Sequence, residues 1–363
     1  MKKRLRLSNL TSYSKGQQIN GDELLVDGEY DYLNGGICPS GTWNDFNTEA
    51  NSIAISEGGN SCGFVNFMVK PFWCGAHCYF LHNTEGIPKY LYYALKSQQE
   101  RLMKIRSGAC MPNIKKAALG KFELFYDDDL DEQNKIVEVL ENTEKVIEKR
   151  KKELIALDSI VQARFVEMFG DIPNNKYVKM KKVCSIITDG THQPPKFESR
   201  GIPFLFVSNL SNNEMTYTAE KFIGMDTYKE LYKRTPVEIG DVLLTIVGSY
   251  GHVAVVKSNK KFLFQRHIAY LKPNNCIINS EYLRGALLAP NGQREIKSRV
   301  KGVAQQTLNL SEIKEMMIPL PKLELQNKFA DFVQQVDKSK DAIQKSLDET
   351  QLLFDSLMQK YFG

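Results

Sequence analysis

The sequence contains one long heptad-patterned stretch twice, at residues 130–169 and again near its carboxyl end. The motif Gln-Asn-Lys at 133–135 returns at 326–328, a shift of 193 positions. Apolar residues at heptad spacing in the first copy are Ile136, Leu140, Ile147, Leu154, Leu157, Val161 and Met168. Those in the second copy are Phe329, Val333, Val336, Ile343, Leu347, Phe354, Leu357 and Tyr361. A period near 3.5 without glycine or proline predicts two long helices that pack on helices, in a chain of two similar halves.

The remainder of each half is predicted to mix short strands with helices. In the first half we predict strands at 52–56, 64–69 and 72–81, and a helix from Pro88 to about Arg106. In the second half we predict strands at 240–247, 252–256 and 262–271, and a helix that begins near Tyr282. The strands at 72–81 and 262–271 align at an offset of 190, which places His267 on His77.

These elements predict an α+β fold in which two similar globular domains are each followed by a long helix. The predicted segments are 1–126 for the first domain, 127–172 for the central helix, 173–319 for the second domain and 320–363 for the last helix. Gly108 and Gly302 are predicted to end the shorter helices, and residues 170–175 to form the linker between the halves. Because the loops of the halves differ while the framework repeats, we expect two different recognition surfaces.

Composition restricts the class of protein. At 363 residues the chain is long enough for two domains, and its hydrophobic fraction of 42% is ordinary for a globular protein. No apolar run reaches the length of a membrane span, and no apolar core follows the basic start that would make a signal peptide. We therefore expect a cytoplasmic protein without a membrane segment. The net charge of +5 permits nucleic-acid binding without requiring it.

The cysteines are odd in number and scattered, which favours reduced thiols over a disulfide framework. They are Cys38, Cys62, Cys74, Cys78, Cys110, Cys184 and Cys276. The segment 74–78, Cys-Gly-Ala-His-Cys, could suggest zinc, but the second ligand pair of a usual zinc site is missing. We favour buried thiols beside an aromatic strand, and we predict no metal.

Signatures of catalysis are missing from the sequence. No glycine-rich loop ends in Gly-Lys-Ser/Thr, and the glycines at 248–251 suit a hairpin turn better than a dinucleotide fingerprint. The run 193–196, Gln-Pro-Pro-Lys, has glutamine where an amino-methyltransferase motif has asparagine or aspartate, and lysine where that motif has a stacking ring. The carboxylates at 127–131 are better explained as capping of the first long helix than as a metal site. With a two-copy framework, these observations favour binding over catalysis.

The second half also carries a family resemblance. The run 240–243, Gly-Asp-Val-Leu, leads to Gly248-Ser249, then to the segment 302–309, and then to Ile-Pro-Leu-Pro-Lys-Leu-Glu-Leu-Gln at 318–326. The last run resembles the Ile-Pro-Leu-Pro-Pro-Leu-x-x-Gln entry to a conserved helix in the specificity subunits of type I restriction-modification systems. The first half keeps Gln133 but has an acidic run in place of the prolines. In order and duplication the whole chain is similar to that family.

The resemblance implies a non-catalytic subunit with no cofactor of its own. Each globular domain would be a target-recognition domain that reads one part of a bipartite sequence in double-stranded DNA. The two helices would pair antiparallel, set the spacing and dock two modification subunits. Adenine methylation with S-adenosylmethionine would belong to those partners, and cleavage driven by ATP and Mg²⁺ to a restriction/translocase subunit. The alternative is a coiled-coil scaffold that binds proteins without reading DNA; a stand-alone enzyme is disfavoured by the missing motifs.

An antiparallel pairing of the helices predicts its own register. With Ile136 opposite Tyr361, each layer keeps at least one apolar member, including Leu154 opposite Ile343 and Val161 opposite Val336. The alternative is that each helix packs only on its own domain.

Loops that read base edges need amide, guanidinium or hydroxyl side chains, with cations nearby for phosphates. The candidates in the first half are Asn60, Ser61, His77, Asn113, Lys115 and Lys116. Those in the second half are Thr191, His192, Gln193, Lys196, Ser249, Tyr250, His252, Gln265, Arg266, Gln305, Gln306 and Asn309. Any single candidate could equally be an ordinary polar loop residue, whereas for the set as a whole DNA contact is favoured. A shared structural hydrogen bond explains the coincidence of His77 with His267 as well as a base contact does. Lys297, Arg299 and Lys301 would either contact phosphates or simply belong to a solvated helix end.

Overall fold

A computed structural model describes residues 2–108, 112–170, 176–302 and 305–363 of the chain. Two compact units are present: Met1–Lys151 with Lys345–Gly363, and Lys152–Gln344. Each long helix thus contributes one part to each unit. The predicted domain boundaries instead lie near the ends of the long helices, and they stay a prediction. Cys110 and most of the predicted linker, 171–175, lie outside the described residues. No described helix is long and apolar enough to cross a bilayer.

Among the described residues, the first unit contains fewer strands than the second. Its elements are β1 Lys3–Arg6, β2 Ser12–Lys15, β3 Tyr30–Leu33, β4 Gly41–Trp43, β5 Ser52–Ser56, β6 Val65–Met68, β7 Phe72–Cys74, β8 Cys78–His82, α1 Pro88–Ser97, α2 Gln99–Lys104, α3 Lys116–Gly120 and β9 Glu123–Tyr126. The first long helix, α4 Leu130–Phe169, begins in this unit.

A four-stranded antiparallel sheet of order β2-β8-β5-β6 is the centre of the first unit. A second sheet of order β4-β3-β7 lies beside it, and β1 pairs with β9 where the globular part begins and ends. The predicted hairpin of 52–56 with 64–69 is confirmed as β5 and β6. The single strand predicted at 72–81 is wrong. The Cys78 N–H donates to the Gly75 carbonyl in a turn, so that β7 joins the second sheet and β8 the first.

The core of the first unit forms between this sheet and the helices. Tyr90, Leu91 and Tyr93 on α1 are fully buried. The helix predicted at 88–106 is interrupted at Gln98, which separates α1 from α2.

The second unit repeats this plan with additional strands. Its elements are β10 Tyr177–Lys179, β11 Cys184–Asp189, β12 Phe197–Glu198, β13 Ile202–Leu205, β14 Phe222–Ile223, α5 Met225–Tyr232, β15 Val242–Thr245, β16 Val253–Val255, β17 Leu263–Phe264, β18 Ile268–Pro273, α6 Ser280–Leu288, α7 Pro290–Arg299, α8 Leu310–Glu315 and β19 Met317–Pro319. The second long helix, α9 Leu323–Phe362, begins in this unit.

The four-stranded sheet of the second unit has the order β11-β18-β15-β16, which matches that of the first unit strand for strand. Its second sheet has the order β12-β14-β13-β17, and β10 pairs with β19 as β1 pairs with β9. The strand predicted at 262–271 is wrong for the same reason as its counterpart. The Ile268 N–H donates to the Gln265 carbonyl in a turn that separates β17 from β18.

The long helices occupy the predicted residues, and local contacts explain where they begin. The carboxylate of Asp129 accepts from the Asp131 N–H at 3.0 Å and the Glu132 N–H at 3.2 Å, which caps α4 as predicted. Gln133 is fully buried, accepts from the Ile87 N–H at 2.8 Å and donates to the Asp127 carbonyl at 2.6 Å. The repeated glutamine therefore joins the start of α4 to the start of α1.

Gln326 makes the same contacts at the start of α9. It is fully buried, accepts from the Asn279 N–H at 2.9 Å and donates to the Pro321 carbonyl at 2.9 Å. The glutamine that repeats in the sequence thus repeats one structural contact. This contact joins the start of a long helix to the start of a shorter helix, α1 or α6, in its domain.

The long helices pair antiparallel, as predicted. In the first unit the early residues Ile136 and Leu140 share a core with the late residues Met358 and Phe362. In the second unit the late residues of α4 share a core with the early residues of α9.

Side-chain contacts in the second unit agree with the predicted register of the helices. The Lys340 ammonium lies 2.9 Å from the Asp158 carboxylate. The Arg164 guanidinium lies 5.8 Å from the centre of the Phe332 ring. The predicted register lies between the two registers that would place each of these pairs directly opposite one another.

Candidate nucleic-acid interface

The turns at one end of the four-stranded sheet of the first unit are joined by backbone hydrogen bonds. The Glu57 N–H donates to the His77 carbonyl at 2.8 Å, which joins the end of β5 to the start of β8. The loop after α2 then closes on the β5–β6 turn, because the Gly59 N–H donates to Pro112 at 3.0 Å and the Ile114 N–H to Glu57 at 2.8 Å. Loops that are far apart in the sequence thus form one surface.

The second unit builds the same surface with the equivalent bonds. The Ile246 N–H donates to the His267 carbonyl at 2.9 Å. The Gly248 N–H donates to Gln306 at 3.1 Å, and the Leu308 N–H to Ile246 at 2.8 Å. We call these joined turns the turn framework of each unit.

A close backbone approach completes the turn framework after the first strand of each sheet. The Gly16 N–H donates to the Cys78 carbonyl at 3.3 Å, and the Gly190 N–H to the Ile268 carbonyl at 3.1 Å. A Cβ at Gly16 would lie 2.6 Å from the Gly75 carbonyl oxygen, and one at Gly190 would lie 2.5 Å from that of Gln265. Only glycine fits at either position.

Gly108 and Gly302 have φ values of 101° and 99°, a region that favours glycine. The prediction that they end helices is wrong, because α2 ends at Lys104 and α7 at Arg299. Each glycine instead follows a residue whose backbone forms paired bonds, Ser107 with Asn113 in the first unit and Lys301 with Thr307 in the second. Both glycines belong to the loops that close on the hairpin turns.

Four of the residues predicted in the first half lie on its turn framework. Asn60 is exposed in the β5–β6 turn, and the neighbouring Ser61 hydroxyl donates to the Gly35 carbonyl. His77 and Asn113 are exposed on the loops that this turn contacts. The structure therefore brings together residues that the sequence only nominated one by one.

Lys115, Lys116 and Asn309 lie at the starts of α3 and α8, beyond the turns themselves. Lys116 places its ammonium 5.6 Å from the centre of the Tyr13 ring in β2. Lys115 and Asn309 are exposed at the N-caps, where their carbonyls accept the first helical bonds. Their proposed DNA contacts stay predictions.

The loop after β11 holds the next predicted group. The Thr191 N–H donates to the Phe264 carbonyl at 2.9 Å, and the Arg266 N–H donates to Thr191 at 3.0 Å. Thr191 and Gln265 therefore lie side by side, with Arg266 exposed beside them. His192, Gln193 and Lys196 follow on the same loop and are exposed.

The hairpin turn and the post-helix loop of the second unit carry the remaining candidates. The Ser249 hydroxyl and His252 Nε2 are 3.1 Å apart at the turn. Gln305 and Gln306 are exposed on the loop that contacts this turn. Tyr250 is half-buried and packs against the core, so it serves structure at least in part.

His77 and His267 coincide in the structure as they do in the sequence. Their carbonyls accept equivalent backbone bonds, from the Glu57 N–H and the Ile246 N–H, and each residue directly precedes an inner strand, β8 or β18, of its four-stranded sheet. Burial lowers the pKa of His267, with a smaller effect of the Arg266 charge. The shared backbone position is sufficient to explain the coincidence.

The segment 74–78 holds two buried thiols. The Gly35 N–H donates to the Cys78 sulfur at 3.1 Å, and a hydrogen bond with Cys78, together with burial, raises the pKa of Cys74. His77 is exposed to solvent, outside this buried pair. Among the residues that the structure describes, no group of His, Cys, Asp and Glu is arranged to hold a metal.

Two of the cations suggested for phosphates are already paired. Arg299 lies 2.8 Å from Glu295 and 3.2 Å from Glu312, and Lys301 lies 2.6 Å from Glu312. These contacts join α7 and the following loop to α8. They reduce the charge that this segment offers to a phosphate.

Sequence reasoning missed Gln17, Gln18 and Asn34 in the first unit. The Gln17 N–H donates to Cys74 at 2.9 Å, the bond that Thr191 makes in the second unit. Asn34 accepts from the His77 N–H at 3.0 Å and donates to Gln18 at 3.1 Å. A glycine before a polar pair, as in Gly190-Thr191-His192, was the only signal for Gln17 and Gln18.

Arg234 and Asp189 were also missed in the second unit. Asp189 ends β11 with 7% of its surface exposed, and Arg234 follows α5. The Arg234 guanidinium donates to Asp189 Oδ1 at 2.6 Å, and His192 Nε2 lies 2.9 Å from Asp189 Oδ2. Nothing in the local sequence of either residue signals this contact.

Comparison with known proteins places this arrangement in context. A family model described as type I restriction modification DNA specificity domain matches residues 2–157 and 174–351. A Mycoplasma genitalium protein described as a type I specificity subunit is 27% identical over 98% of this chain and 92% of its own length. The specificity subunit of the EcoBI type I restriction enzyme of Escherichia coli is 29% identical over 47% of this chain and 36% of its own length.

Solved structures show the same fold. The crystal structure of a type I restriction-modification S subunit from M. genitalium has a TM-score of 0.64 at 22% identity, covering 100% of this chain and 96% of that one. A chain from a structural study of complex assembly in a type I restriction-modification system has a TM-score of 0.55 at 15% identity, covering 99% and 97%.

Proposed function

We propose that this chain, which belongs to the family of type I restriction modification DNA specificity proteins, is the recognition subunit of a type I restriction-modification complex. In this proposal the subunit itself is non-catalytic. One observation carries the proposal: each unit presents the same turn framework with different exposed polar side chains. A fixed backbone with variable amides, hydroxyls and cations suits the reading of two unlike base sequences. The scaffold alternative gives no reason for the second framework.

Each half would read one part of a bipartite sequence in double-stranded DNA. The hairpin turn and the loop after the short helices are held together in both units, so their side chains move as one surface. Rigid backbone support is what base readout needs, because a contact misplaced by about 1 Å loses most of its discrimination. The paired long helices, each 40 residues or about 60 Å, would set the distance between the parts.

The same helices would dock the modification subunits. Several apolar residues on them are exposed, and exposed apolar residues on a helix favour a protein partner. These are Val139, Val146, Ile155, Ile160, Val166, Leu352 and Leu353. Two repeated halves fit two modification subunits. We assign S-adenosylmethionine, and ATP with Mg²⁺, to partner subunits rather than to this chain, and we propose that the complex acts in the cytoplasm.

Exchange of residues 175–318 for the corresponding domain of another family member tests the proposal. We expect one half of the methylated sequence to change and the other half to stay, because the first turn framework is untouched. The measurement is methylome sequencing of cells that express the complete complex. A matched exchange of the first domain should change the other half.

An unchanged methylated sequence after both exchanges would refute DNA readout and favour the scaffold alternative. Binding of duplex DNA by the assembled complex should also weaken with salt, because phosphate contacts release counterions.

A further inference from the structure

A cavity of about 450 Å³ opens in the second unit between the loop 190–196 and the end of α5. Asp189 lies beside its wall with 7% of its surface exposed. A buried carboxylate is costly unless it is paired, and here it holds two partners. The Arg234 guanidinium donates to Asp189 Oδ1 at 2.6 Å, and His192 Nε2 lies 3.0 Å from the same oxygen and 2.9 Å from Oδ2.

Backbone contacts fix both sides of this cluster. Asp189 is the last residue of β11 and pairs with Ala269 in β18, and the following Gly190 is held against β18. The Arg234 N–H donates to the Leu231 carbonyl at 3.1 Å, and the next residue, Thr235, is 4% exposed. Arg234 is therefore held at its backbone by the Leu231 carbonyl and at its guanidinium by Asp189.

The charge pattern distinguishes two uses of Arg234. A cation that binds phosphate acts mainly through its charge, and the partner Asp189 neutralises much of that charge. A guanidinium that reads a base acts through direction, since its paired N–H groups match the O6 and N7 acceptors of guanine. Its side chain is 50% exposed, so the donors that Asp189 does not engage remain available to a ligand.

We propose that Arg234, positioned by Asp189, reads a guanine in the part of the DNA target recognised by the second unit. This inference rests on the proposed function and names a specificity-determining residue within it. His192 shares the carboxylate, so its ring is fixed at the rim of the same cavity. Asp189 is a positioning residue that does not itself contact the DNA.

Three substitutions in the complete complex test the inference. Arg234→Lys keeps the charge and removes the planar fork, Arg234→Ala removes both, and Asp189→Asn keeps the shape of the orienting group without its charge. We expect each Arg234 variant to lower discrimination at one guanine by roughly 10-fold or more, and Asp189→Asn to lower it less. Methylome sequencing should show the relaxed position in the half-site that exchange of 175–318 replaces.

Lys233→Ala is the matched control, because Lys233 is an exposed cation adjacent to Arg234. It should leave the methylated sequence unchanged. An unchanged sequence for Arg234→Ala, with a salt dependence of affinity reduced by about one charge, would overturn the inference and indicate a phosphate contact.

Unchanged sequence and affinity for both Arg234 variants would overturn the inference as well. In those cases the wild-type complex still methylates a bipartite sequence, so the proposed function survives. If the wild-type complex methylates no bipartite sequence, the proposed function fails and this inference fails with it. Arg234→Lys keeps the test valid should Arg234→Ala fold poorly.

Discussion

The two units share their turn framework but differ in the residue that ends the first strand of the sheet. In the first unit this residue is Lys15, whose ammonium lies 2.5 Å from Glu57 on the hairpin turn. In the second unit it is Asp189, which holds Arg234 and His192. The backbone position is the same while the charge is inverted. The comparison teaches that backbone bonds fix where the surface lies, which leaves the side chains free to differ in what they recognise.

The units differ also in how their helices attach to the domain. In the first unit the contact is largely aromatic, with Tyr90 5.2 Å from Phe362 and Tyr93 6.4 Å from Phe354 between ring centres. In the second unit Phe165 and Phe169 pack on Tyr282 of α6, at 5.6 and 4.8 Å between ring centres. Ion pairs supplement this contact, among them Lys257 with Asp337 at 2.5 Å. We expect the second attachment to depend more strongly on salt.

Substitution of the framework glycines should have the largest effect. Gly16→Ala and Gly190→Ala each force a Cβ against backbone carbonyl oxygens, which cannot rotate away as a side chain can. We expect each change to lower the free energy of unfolding of its own unit by about 3 kcal/mol. Hydrogen exchange resolved by segment measures the two units separately.

The sequence offers a probe and a control for this glycine test. Both tryptophans, Trp43 and Trp73, belong to the first unit, so denaturation followed by their fluorescence should detect Gly16→Ala and not Gly190→Ala. Gly21→Ala is the control, since a Cβ there would have no neighbour within 4 Å. Equal stability of Gly16→Ala and Gly21→Ala would show that the framework tolerates movement.

Substitution of the repeated glutamines should have a smaller effect, equal in the two units. Gln133→Ala and Gln326→Ala each remove a fully buried side chain that bonds one backbone N–H and one backbone carbonyl. We expect about 2 kcal/mol of destabilisation for each, measured by the same hydrogen exchange. Asn134→Ala, at the exposed next position, should change little. Clearly unequal losses for the two glutamines would break the equivalence of the units.

Removal of the Lys340 charge should have the smallest effect and should be confined to the second unit. Burial lowers the pKa of Lys340, but bonds to Glu214 and Asp158 raise it more, so the net pKa is above the usual 10.5. A raised pKa stabilises the fold fully below 10.5 and loses this effect as the pH rises through the folded value. For Lys340→Met we expect a loss of about 1 kcal/mol between pH 6 and 9.

High salt should reduce the Lys340→Met difference, because screening weakens the wild-type ion pairs. Lys345→Met is the control, since its pair with Glu349 is separated by 4.0 Å and 80% of the Lys345 side chain is exposed. A Lys340 effect that is independent of salt would mean that packing of the side-chain stem, rather than its charge, attaches the helix.

The strand predictions show where sequence reasoning stops. The stretches 72–81 and 262–271 are largely apolar and aromatic, and such a run predicts one strand, although His77 interrupts the first and the polar residues 265–267 interrupt the second. Each is divided by a turn because its two ends pair in different sheets. The pairing partners lie far away in the sequence, so the local pattern carries no information about which sheet each end of the stretch joins.

The sequence by itself determined the long helices and their repetition, and the family resemblance implied that they pair antiparallel. Heptad spacing reports burial along one helix, and a repeated motif reports a repeated contact, so both are readable locally. It also nominated polar residues on the turns that the structure joins, and their contacts with DNA stay a prediction. Only the tertiary structure decided which of them share a surface, and it added Arg234, 45 residues from the Asp189 that holds it. Contacts of that kind depend on strand register and loop path, which local sequence does not encode.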